Sequence, residues 1–337
     1  MRVAVFQFFP PTLWTPGGGE TQLSRTCLAL EKAGVEVIKF DIWNPQKDFD
    51  LLHVFGSTYQ LSDFVVTAKR LGMKVVVSPI AYSYKPKWQW VFFNVIDKLL
   101  PIPTIYSYRK QIYGAADLLL SGSKAEAEQL KTNFKLPGNK FRIVYNAADS
   151  TFAEATSDKF VEQYNLNDFV LMVGRISEHK GQLRLIQALE GTGLKLVIIG
   201  HPDPDDMVYY ERFQYTIQDK PWIHFLGSVQ KTEGILASAY AAAKVHALPS
   251  LSECPGLVNL EAGLAGANVV TLSNPSVYEH LGDHAWYCNP RSVDSIRDAV
   301  TAAHKAPRQM KLRERLLKDF TWDAVAKRLI NVYSELV

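Results

Sequence analysis

The feature that most constrains the fold is a rhythm in which short apolar, β-branched runs alternate with helix-length segments. In the first half of the chain these runs fall at residues 3–8, 35–40, 50–54, 74–78, 118–120 and 141–144. The rhythm then restarts, with runs at residues 169–173, 195–199, 224–225, 245–248, 268–271 and 285–287. Strands that alternate with helices form a parallel sheet covered on both faces. We therefore predict an α/β protein with two Rossmann-like, doubly wound domains.

The boundary between the two domains is predicted from a polar, poorly periodic stretch at residues 146–158. We assign residues 1–150 to an amino-terminal domain and residues 151–321 to a carboxyl-terminal domain. The segment Phe-Thr-Trp-Asp at 320–323 then opens an amphipathic helix that runs to Val337, with Thr321 at the capping position. From periodicity alone, this last helix could serve either domain.

Charge and cysteine usage exclude several classes of protein. The net charge is only +3, divided into +6 over residues 1–150 and −3 over residues 151–337, which is too mild for a dedicated nucleic-acid binder. Three distant cysteines, Cys27, Cys254 and Cys288, argue against a disulfide framework or a structural zinc site and favour a reducing cytosol. Neither a signal peptide nor a run of 18 apolar residues is found, so we expect a cytoplasmic protein without a membrane span.

Two glycine-bearing loops follow predicted strands and open predicted helices. The first contains Gly18 and Gly19, where the backbone can approach an anion at the helix start, although a plain tight turn explains the same residues. The second, residues 174–181, carries Arg175 and Lys180 five residues apart. These cations can converge on one phosphate group at the carboxyl end of a parallel strand. The alternative is a solvated loop with two incidental cations.

A third motif places two carboxylates eight residues apart. Glu253 precedes a helix whose start is marked by Pro255 and Gly256, and Glu261 lies one and a half turns into that helix. The two carboxylates could hold opposite ends of a ligand, with free amides near Gly256 and Leu257 directed at a phosphate between them. Taken alone, Glu261 could be an ordinary surface acid. Its small, apolar neighbours on the helix favour a functional role.

In this order and at these separations, the motifs resemble those of the retaining glycosyltransferases of family 4, which have the GT-B fold. The resemblance covers nearly the whole chain and is most specific in the carboxyl-terminal half. It implies that Arg175 and Lys180 hold the donor diphosphate and that Glu261 binds the ribose hydroxyls. It also implies that Glu253 contacts the transferred sugar, and that the amides of Gly256, Leu257 and Val258 lie nearby. Gly18 and Gly19 would approach the diphosphate from the other, acceptor-side domain, across a donor-binding cleft. The resemblance also implies that the last helix, residues 322–337, crosses back to complete the amino-terminal domain.

One position departs from the family pattern. Many members have a histidine shortly after the strand at residues 74–78, where this chain has Ile80. A backbone carbonyl or a water could replace that contact, or the activity could be altered. His53, at the end of the preceding strand, is a candidate for contact with the cleft, with a satisfied structural histidine as the alternative.

Two further segments suggest partners. Residues 203–206, Asp-Pro-Asp-Asp, look like a metal-binding D-x-D motif, but on a proline-rich turn they are ordinary residues of a helix start, so we expect no metal. Residues 85–110 carry five basic side chains against Asp97 and are interleaved with aromatic residues. This segment could rest on an anionic membrane or bind a lipid-linked acceptor. A core helix with a solvated basic face is the alternative.

The resemblance implies a metal-independent retaining transferase that needs no cofactor besides its donor substrate. It would move a hexose-type sugar from a UDP- or GDP-linked donor to a glycan, lipid-linked or small-molecule acceptor, as in polysaccharide biosynthesis. Glu253, Arg175 and Lys180 would be the catalytic residues. The alternatives are a catalytically weak protein that binds nucleotide sugars in an assembly complex and a sugar-nucleotide epimerase.

Overall fold

The structure is a computed structural model of the chain that describes residues 1–8, 17–83, 85–100, 103–229 and 234–337. It does not describe the side chains of Lys87 and Lys98. The chain divides into two compact units, the first formed by Met1–Ala147 with Trp322–Val337 and the second by Ala148–Thr321. Each unit contains a six-stranded sheet in which neighbouring strands are parallel. The predicted pair of doubly wound α/β domains is therefore confirmed.

The first unit is built on one sheet with helices on both faces. Its strands are β1 (Arg2–Gln7), β2 (Glu36–Lys39), β3 (Leu51–Phe55), β4 (Val75–Ser78), β5 (Leu118–Ser121) and β6 (Phe141–Ile143). Its described helices are α1 (Gly18–Lys32), α2 (Ser62–Arg70), α3 (Lys87–Leu99), α4 (Ile105–Ala115), α5 (Lys124–Phe134) and α14 (Trp322–Tyr333). The strand order is β2-β1-β3-β4-β5-β6. β3 and β4 are buried at every position, as expected for central strands covered on both faces.

The last helix, α14, belongs to the first unit although it follows the second unit in sequence. It packs against α1, and Lys32 on α1 lies 3.2 Å from the Asp323 carboxylate. The chain end is fixed further by an ion pair of 2.5 Å between Arg142 and Glu335. The buried apolar stripe of α14 includes Val325 and Leu329. These contacts settle the assignment that periodicity left open.

The second unit has the same architecture. Its strands are β7 (Val170–Val173), β8 (Leu196–Ile199), β9 (Ile223–Phe225), β10 (Val245–Leu248), β11 (Asn268–Leu272) and β12 (Trp286–Cys288). Its described helices are α6 (Asp158–Tyr164), α7 (Gln182–Leu189), α8 (Met207–Ile217), α9 (Ile235–Ala242), α10 (Leu257–Leu264), α11 (Pro275–Leu281), α12 (Val293–Lys305) and α13 (Met310–Asp319). The strand order is β12-β11-β10-β7-β8-β9.

This strand order fixes where a ligand would bind in the second unit. The chain adds β8 and β9 on one side of β7, then returns to place β10 on the other side and continues outward to β12. The sheet therefore has a topological switch point between β7 and β10, where the carboxyl ends of parallel strands leave a crevice. The loop at residues 174–181 follows β7, and the loop at residues 249–256 follows β10. The fold thus brings two of the sequence motifs to one place.

No helix among the described residues combines the length and the apolar character needed to cross a membrane.

Candidate active site

The loops that follow β7 and β10 contact each other directly. The Leu251 amide donates a hydrogen bond of 2.8 Å to the His179 carbonyl, and the His179 ring Nε2 lies 3.1 Å from the Ser252 carbonyl oxygen. Gly181 has a φ of +84°, and a Cβ there would lie 2.9 Å from the Pro249 carbonyl oxygen. Only glycine combines this backbone conformation with so close an approach. The two loops therefore form one structural unit at the switch point.

An ion pair between Lys180 and Glu253 lies at the centre of this unit. The Lys180 ammonium is 2.5 Å from a Glu253 carboxylate oxygen, and the side chains are 21% and 8% exposed. The Lys180 stem runs along the backbone of Gly174, 3.9 Å from the position of a Cβ there. Sequence spacing predicted Lys180 near a phosphate and Glu253 at one end of a ligand, but not their direct pairing. The structure brings them together as a mostly buried, charge-assisted contact.

Arg175 is held on the other side of the same loop. Its guanidinium lies 3.3 Å from the Asp203 carboxylate, and its carbonyl accepts a hydrogen bond of 2.8 Å from the Gln182 amide. The loops after β7 and β8 also meet closely, because a Cβ on Gly200 would lie 1.9 Å from the Gly174 carbonyl oxygen. Asp203 is a residue of the site that the sequence reading assigned only to a turn.

The carboxylates of Asp203 and Asp206, in the Asp-Pro-Asp-Asp segment, bind other residues of the protein. The Asp203 carboxylate accepts a hydrogen bond of 3.3 Å from the Asp205 amide and also pairs with Arg175. The Asp206 carboxylate accepts one of 2.7 Å from the Glu178 amide. Within the described ranges, no three His, Cys, Asp or Glu side chains form a group that could hold a metal ion.

Gly256 sets the position of Glu253 against the start of α10. Its φ is +81°, and a Cβ would lie 2.9 Å from Glu253 Oε2 and 3.1 Å from Asn259 Nδ2. Gly256 is also the N-cap residue of α10, and no side-chain hydrogen bond caps this end. The first-turn amides of Leu257 and Val258 therefore lie at the positive end of the helix dipole.

We expect Gly256→Ala to displace Glu253 and to weaken the second unit. The positive φ costs about 1–3 kcal/mol for a residue with a Cβ, and the contact with Glu253 adds to that cost. Gly266→Ala is the matched control, because Gly266 has a φ of +87° and open space around its Cβ position. Urea unfolding followed by circular dichroism should show a larger loss of unfolding free energy for Gly256→Ala than for Gly266→Ala. Equal losses would show that Gly256 does not position Glu253.

Glu261 is held by a residue that the sequence reading missed. It lies on α10 and is 8% exposed, and the Tyr240 hydroxyl on α9 donates a hydrogen bond of 3.0 Å to its carboxylate. Burial, aided by the Glu261 charge, raises the pKa of Tyr240 well above its usual value. The phenol therefore remains protonated and donates to Glu261 at neutral pH. This contact fixes the carboxylate on the helix that also begins at the Glu253 loop.

In the first unit, Gly18 and Gly19 form the first turn of α1, with Gly17 as the N-cap residue. The Glu20 carboxylate accepts a hydrogen bond of 2.8 Å from the Gly17 amide and another of 3.0 Å from the Gln7 side chain. A Cβ on Gly18 would meet no described atom within 4 Å. The described residues therefore leave space beside this turn, at the switch point between β1 and β3.

His53 lies in the core of the first unit. It is 1% exposed, its Nδ1 lies 2.7 Å from the Tyr333 hydroxyl, and its Nε2 lies 2.8 Å from the Ser78 hydroxyl. Burial lowers the pKa of His53 to about 3, so the ring is neutral at pH 7. Both ring nitrogens are therefore within hydrogen-bonding distance of hydroxyl groups of the protein. The ligand contact considered for His53 is therefore corrected, and the alternative of a satisfied structural histidine describes its surroundings.

Ile80 has an unusual backbone where the family resemblance suggests a histidine. Its φ is +49°, in the left-handed region that a β-branched residue rarely adopts, and the side chain is 44% exposed. Its neighbours are fixed on both sides. The Pro79 carbonyl accepts a hydrogen bond of 3.0 Å from Ser57, and the Ala81 amide donates one of 2.7 Å to the buried Glu126 carboxylate. A strained backbone thus lies at the carboxyl end of β4.

One protein-family model matches the second unit. Residues 154–319, which include Arg175, Lys180, Glu253 and Glu261, match the family model described as "Glycosyl transferases group 1". The second unit is therefore similar to the group 1 glycosyltransferases over this range. The matched range spans nearly all of this compact unit.

Curated relatives of the chain are moderately similar to it. The chain is 29% identical over 238 residues to an uncharacterized glycosyltransferase of Methanocaldococcus jannaschii, a match that covers 64% of this chain and 59% of the relative. It is 25% identical over 237 residues to O-antigen chain mannosyltransferase B of Escherichia coli, covering 66% of this chain and 61% of the relative. The chain therefore spans about three fifths of the length of these relatives.

Solved structures show that the fold extends to both units. A sucrose-phosphate synthase of Thermosynechococcus elongatus superposes with a TM-score of 0.79 at 19% identity, covering 99% of this chain and 98% of that one. The HepE protein of Anabaena, solved in complex with UDP, gives a TM-score of 0.76 at 16% identity, with full coverage of both chains. Both units therefore share the fold of these structures, as the resemblance to GT-B proteins implied.

Proposed function

We propose that this protein is a retaining glycosyltransferase that moves a hexose-type sugar from a UDP- or GDP-linked donor to a hydroxyl acceptor. The observation that carries the proposal is the arrangement of Lys180, Glu253 and Glu261 at the switch point of the second unit, which is similar to the group 1 glycosyltransferases. Cations, carboxylates and a helix start are combined there in one crevice. A nucleotide sugar presents matching groups, namely a diphosphate and two sets of sugar hydroxyls.

The donor contacts follow from the chemistry of each group. The diphosphate would be held by Lys180, Arg175 and the first-turn amides of α10, which carry positive charge or donate hydrogen bonds. Glu261, fixed by Tyr240, would accept hydrogen bonds from the ribose hydroxyls. Glu253 would accept them from the transferred sugar. The ion pairs of Lys180 with Glu253 and of Arg175 with Asp203 then hold these side chains in place before the donor arrives.

The reaction would need no side-chain base. The acceptor hydroxyl oxygen forms a bond to the anomeric carbon while the bond from that carbon to the phosphate oxygen breaks. The nucleoside diphosphate leaves with the electron pair, and the acceptor proton passes to the departing phosphate oxygen. Attack on the face from which the diphosphate leaves preserves the anomeric configuration. Arg175, Lys180 and the α10 amides would stabilise the charge that builds on the leaving group without a metal ion.

The O-antigen mannosyltransferase relative supports a glycan or lipid-linked acceptor, and the HepE structure with UDP supports a uridine donor. The second candidate function is binding of a nucleotide sugar without efficient transfer. The strained Ile80, at the position of the family histidine, favours that alternative.

A donor panel tests the proposal. Purified protein is incubated with a set of glycan and small-molecule hydroxyl acceptors and with UDP- and GDP-linked hexoses and N-acetylhexosamines, with and without chelator. Release of nucleoside diphosphate is measured. We expect release from one donor class that chelator does not reduce, and a glycoside product whose anomeric proton coupling in NMR matches that of the donor. Binding of a donor without release would favour the nucleotide-sugar-binding alternative. Inversion at the anomeric carbon would contradict the proposed mechanism.

A further inference from the structure

Helix α3 in the first unit is apolar on two opposite faces. One face packs into the core of the unit and includes Trp90, which is 7% exposed and lies between Tyr106 and Phe134. A helix with apolar residues all around is normally buried on all sides. In α3 the second apolar face is open to solvent and needs an explanation.

The open face, which we call the α3 stripe, consists of five large apolar side chains. They are Trp88 (66% exposed), Val91 (63%), Phe92 (54%), Val95 (47%) and Leu99 (74%). Their spacing of three and four residues places them along one side of the helix over about 16 Å. Monomeric proteins rarely expose such a continuous apolar surface unless it binds something.

The net charge of the segment that carries the α3 stripe indicates what that partner is. Residues 85–110 carry Lys85, Lys87, Lys98, Arg109 and Lys110 against Asp97 alone, a net charge of +4. An apolar helical face in a basic setting is typical of a segment that lies in the surface of an anionic bilayer. At 13 residues, α3 is too short to span a bilayer, which requires about 20. We propose that the α3 stripe docks this protein on an anionic lipid surface.

A second copy of the chain fits the stripe less well. In a two-fold contact each patch faces the same patch of its copy, so two segments of charge +4 would meet. An anionic lipid surface offers opposite charge and apolar depth together. The position of α3 also suits an enzyme with a lipid-linked acceptor, because α3 follows β4 on the carboxyl side of the first sheet. Docking itself does not depend on the proposed transferase activity.

Vesicle flotation tests the proposal without any sugar donor. The full chain is mixed with vesicles of phosphatidylcholine alone or with 40% phosphatidylglycerol, and the partition coefficient is measured at low and high salt. The test variant is Val91→Glu with Val95→Glu. The matched control is Val208→Glu with Tyr215→Glu on α8, because these side chains are 72% and 79% exposed in the second unit and receive the same charge.

We expect the wild type and the α8 control to bind the anionic vesicles, with binding reduced by salt. The α3 double variant should bind at least about tenfold more weakly, since it loses apolar depth and gains negative charge. Equal binding of both double variants, or equal binding to neutral and anionic vesicles, would overturn the proposal.

Light scattering on the same samples provides one more test. A wild-type dimer that the α3 variant abolishes, without vesicle binding, would overturn it in favour of a second copy of the chain.

Discussion

Replacing Lys180 by alanine should lower kcat/KM for sugar transfer by about 100-fold or more. Lys180 is the mostly buried cation of the switch-point site, and the proposed mechanism uses it to stabilise charge on the departing diphosphate. Removing one donor to a developing oxyanion costs about 10²–10³ in rate in enzymes where this has been measured. The substitution also leaves Glu253 without its cation. The measurement is steady-state kinetics with the donor that the panel identifies.

Lys220→Ala is the matched control for this experiment. Lys220 is 24% exposed and lies 2.6 Å from Glu190, so it resembles Lys180 in burial and pairing. Lys220 directly precedes β9, however, and therefore lies at the amino ends of the strands of the second sheet, whereas the site lies at their carboxyl ends. We expect Lys220→Ala to keep near wild-type kcat/KM. A Lys180→Ala enzyme within threefold of the wild type would remove Lys180 from the mechanism.

Acid should destabilise the second unit well before its carboxylates are fully protonated. Burial lowers the pKa of His246 on β10 to about 3, whereas the unfolded chain titrates near 6.5. Between these values the unfolded state binds a proton that the folded state does not. Stability is therefore complete above about pH 6.5 and falls by about 1.4 kcal/mol for each pH unit below it. From pH 6.5 to 4.5 the unfolding free energy should drop by about 2–3 kcal/mol.

His246→Leu tests the assignment, because leucine fills the buried site without titrating. Urea unfolding is followed at several pH values by a probe in the second unit, such as Trp286 fluorescence. The unfolding free energy should depend less steeply on pH for this variant than for the wild type. The first unit is a less direct test. There the low pKa of His53 also lowers the unfolding free energy as the pH falls. Burial raises the pKa of Glu126, and this shift increases the unfolding free energy as the pH falls. An unchanged pH dependence in His246→Leu would contradict the prediction.

The secondary structure was predictable because its signals are local. Each predicted strand is present with both ends within one residue of the prediction, as at β7, predicted over 169–173 and found at Val170–Val173. The continuous apolar runs of β3 and β4 indicate burial on both faces, and the structure confirms it. The run around His53 carried the same signal, which could have placed this histidine in the core rather than near a ligand.

The contacts that complete the site were not predictable in the same way. Tyr240 reaches Glu261 from another helix, and Asp203 reaches Arg175 from the loop after another strand. Such pairs depend on the packing of whole elements and not on sequence spacing. The positive φ of Ile80 has a similar origin, because hydrogen bonds between its two neighbours and residues distant in sequence fix the backbone there.

The most direct test of the account is a thermal-shift titration of the wild type with UDP, GDP, ADP, dTDP and CDP, with and without chelator. A ligand that binds only the folded state raises Tm, and the stabilisation grows with the logarithm of one plus the ratio of ligand concentration to Kd. Glu261→Ala is titrated beside it. Glu190→Ala is the control, because Glu190 lies before β8, at the amino ends of the strands. We predict that one nucleotide raises Tm without a metal ion, and that the shift disappears in Glu261→Ala but persists in Glu190→Ala. An absence of any shift in the wild type, or a shift that Glu261→Ala retains, would contradict a nucleotide site at the β7–β10 switch point.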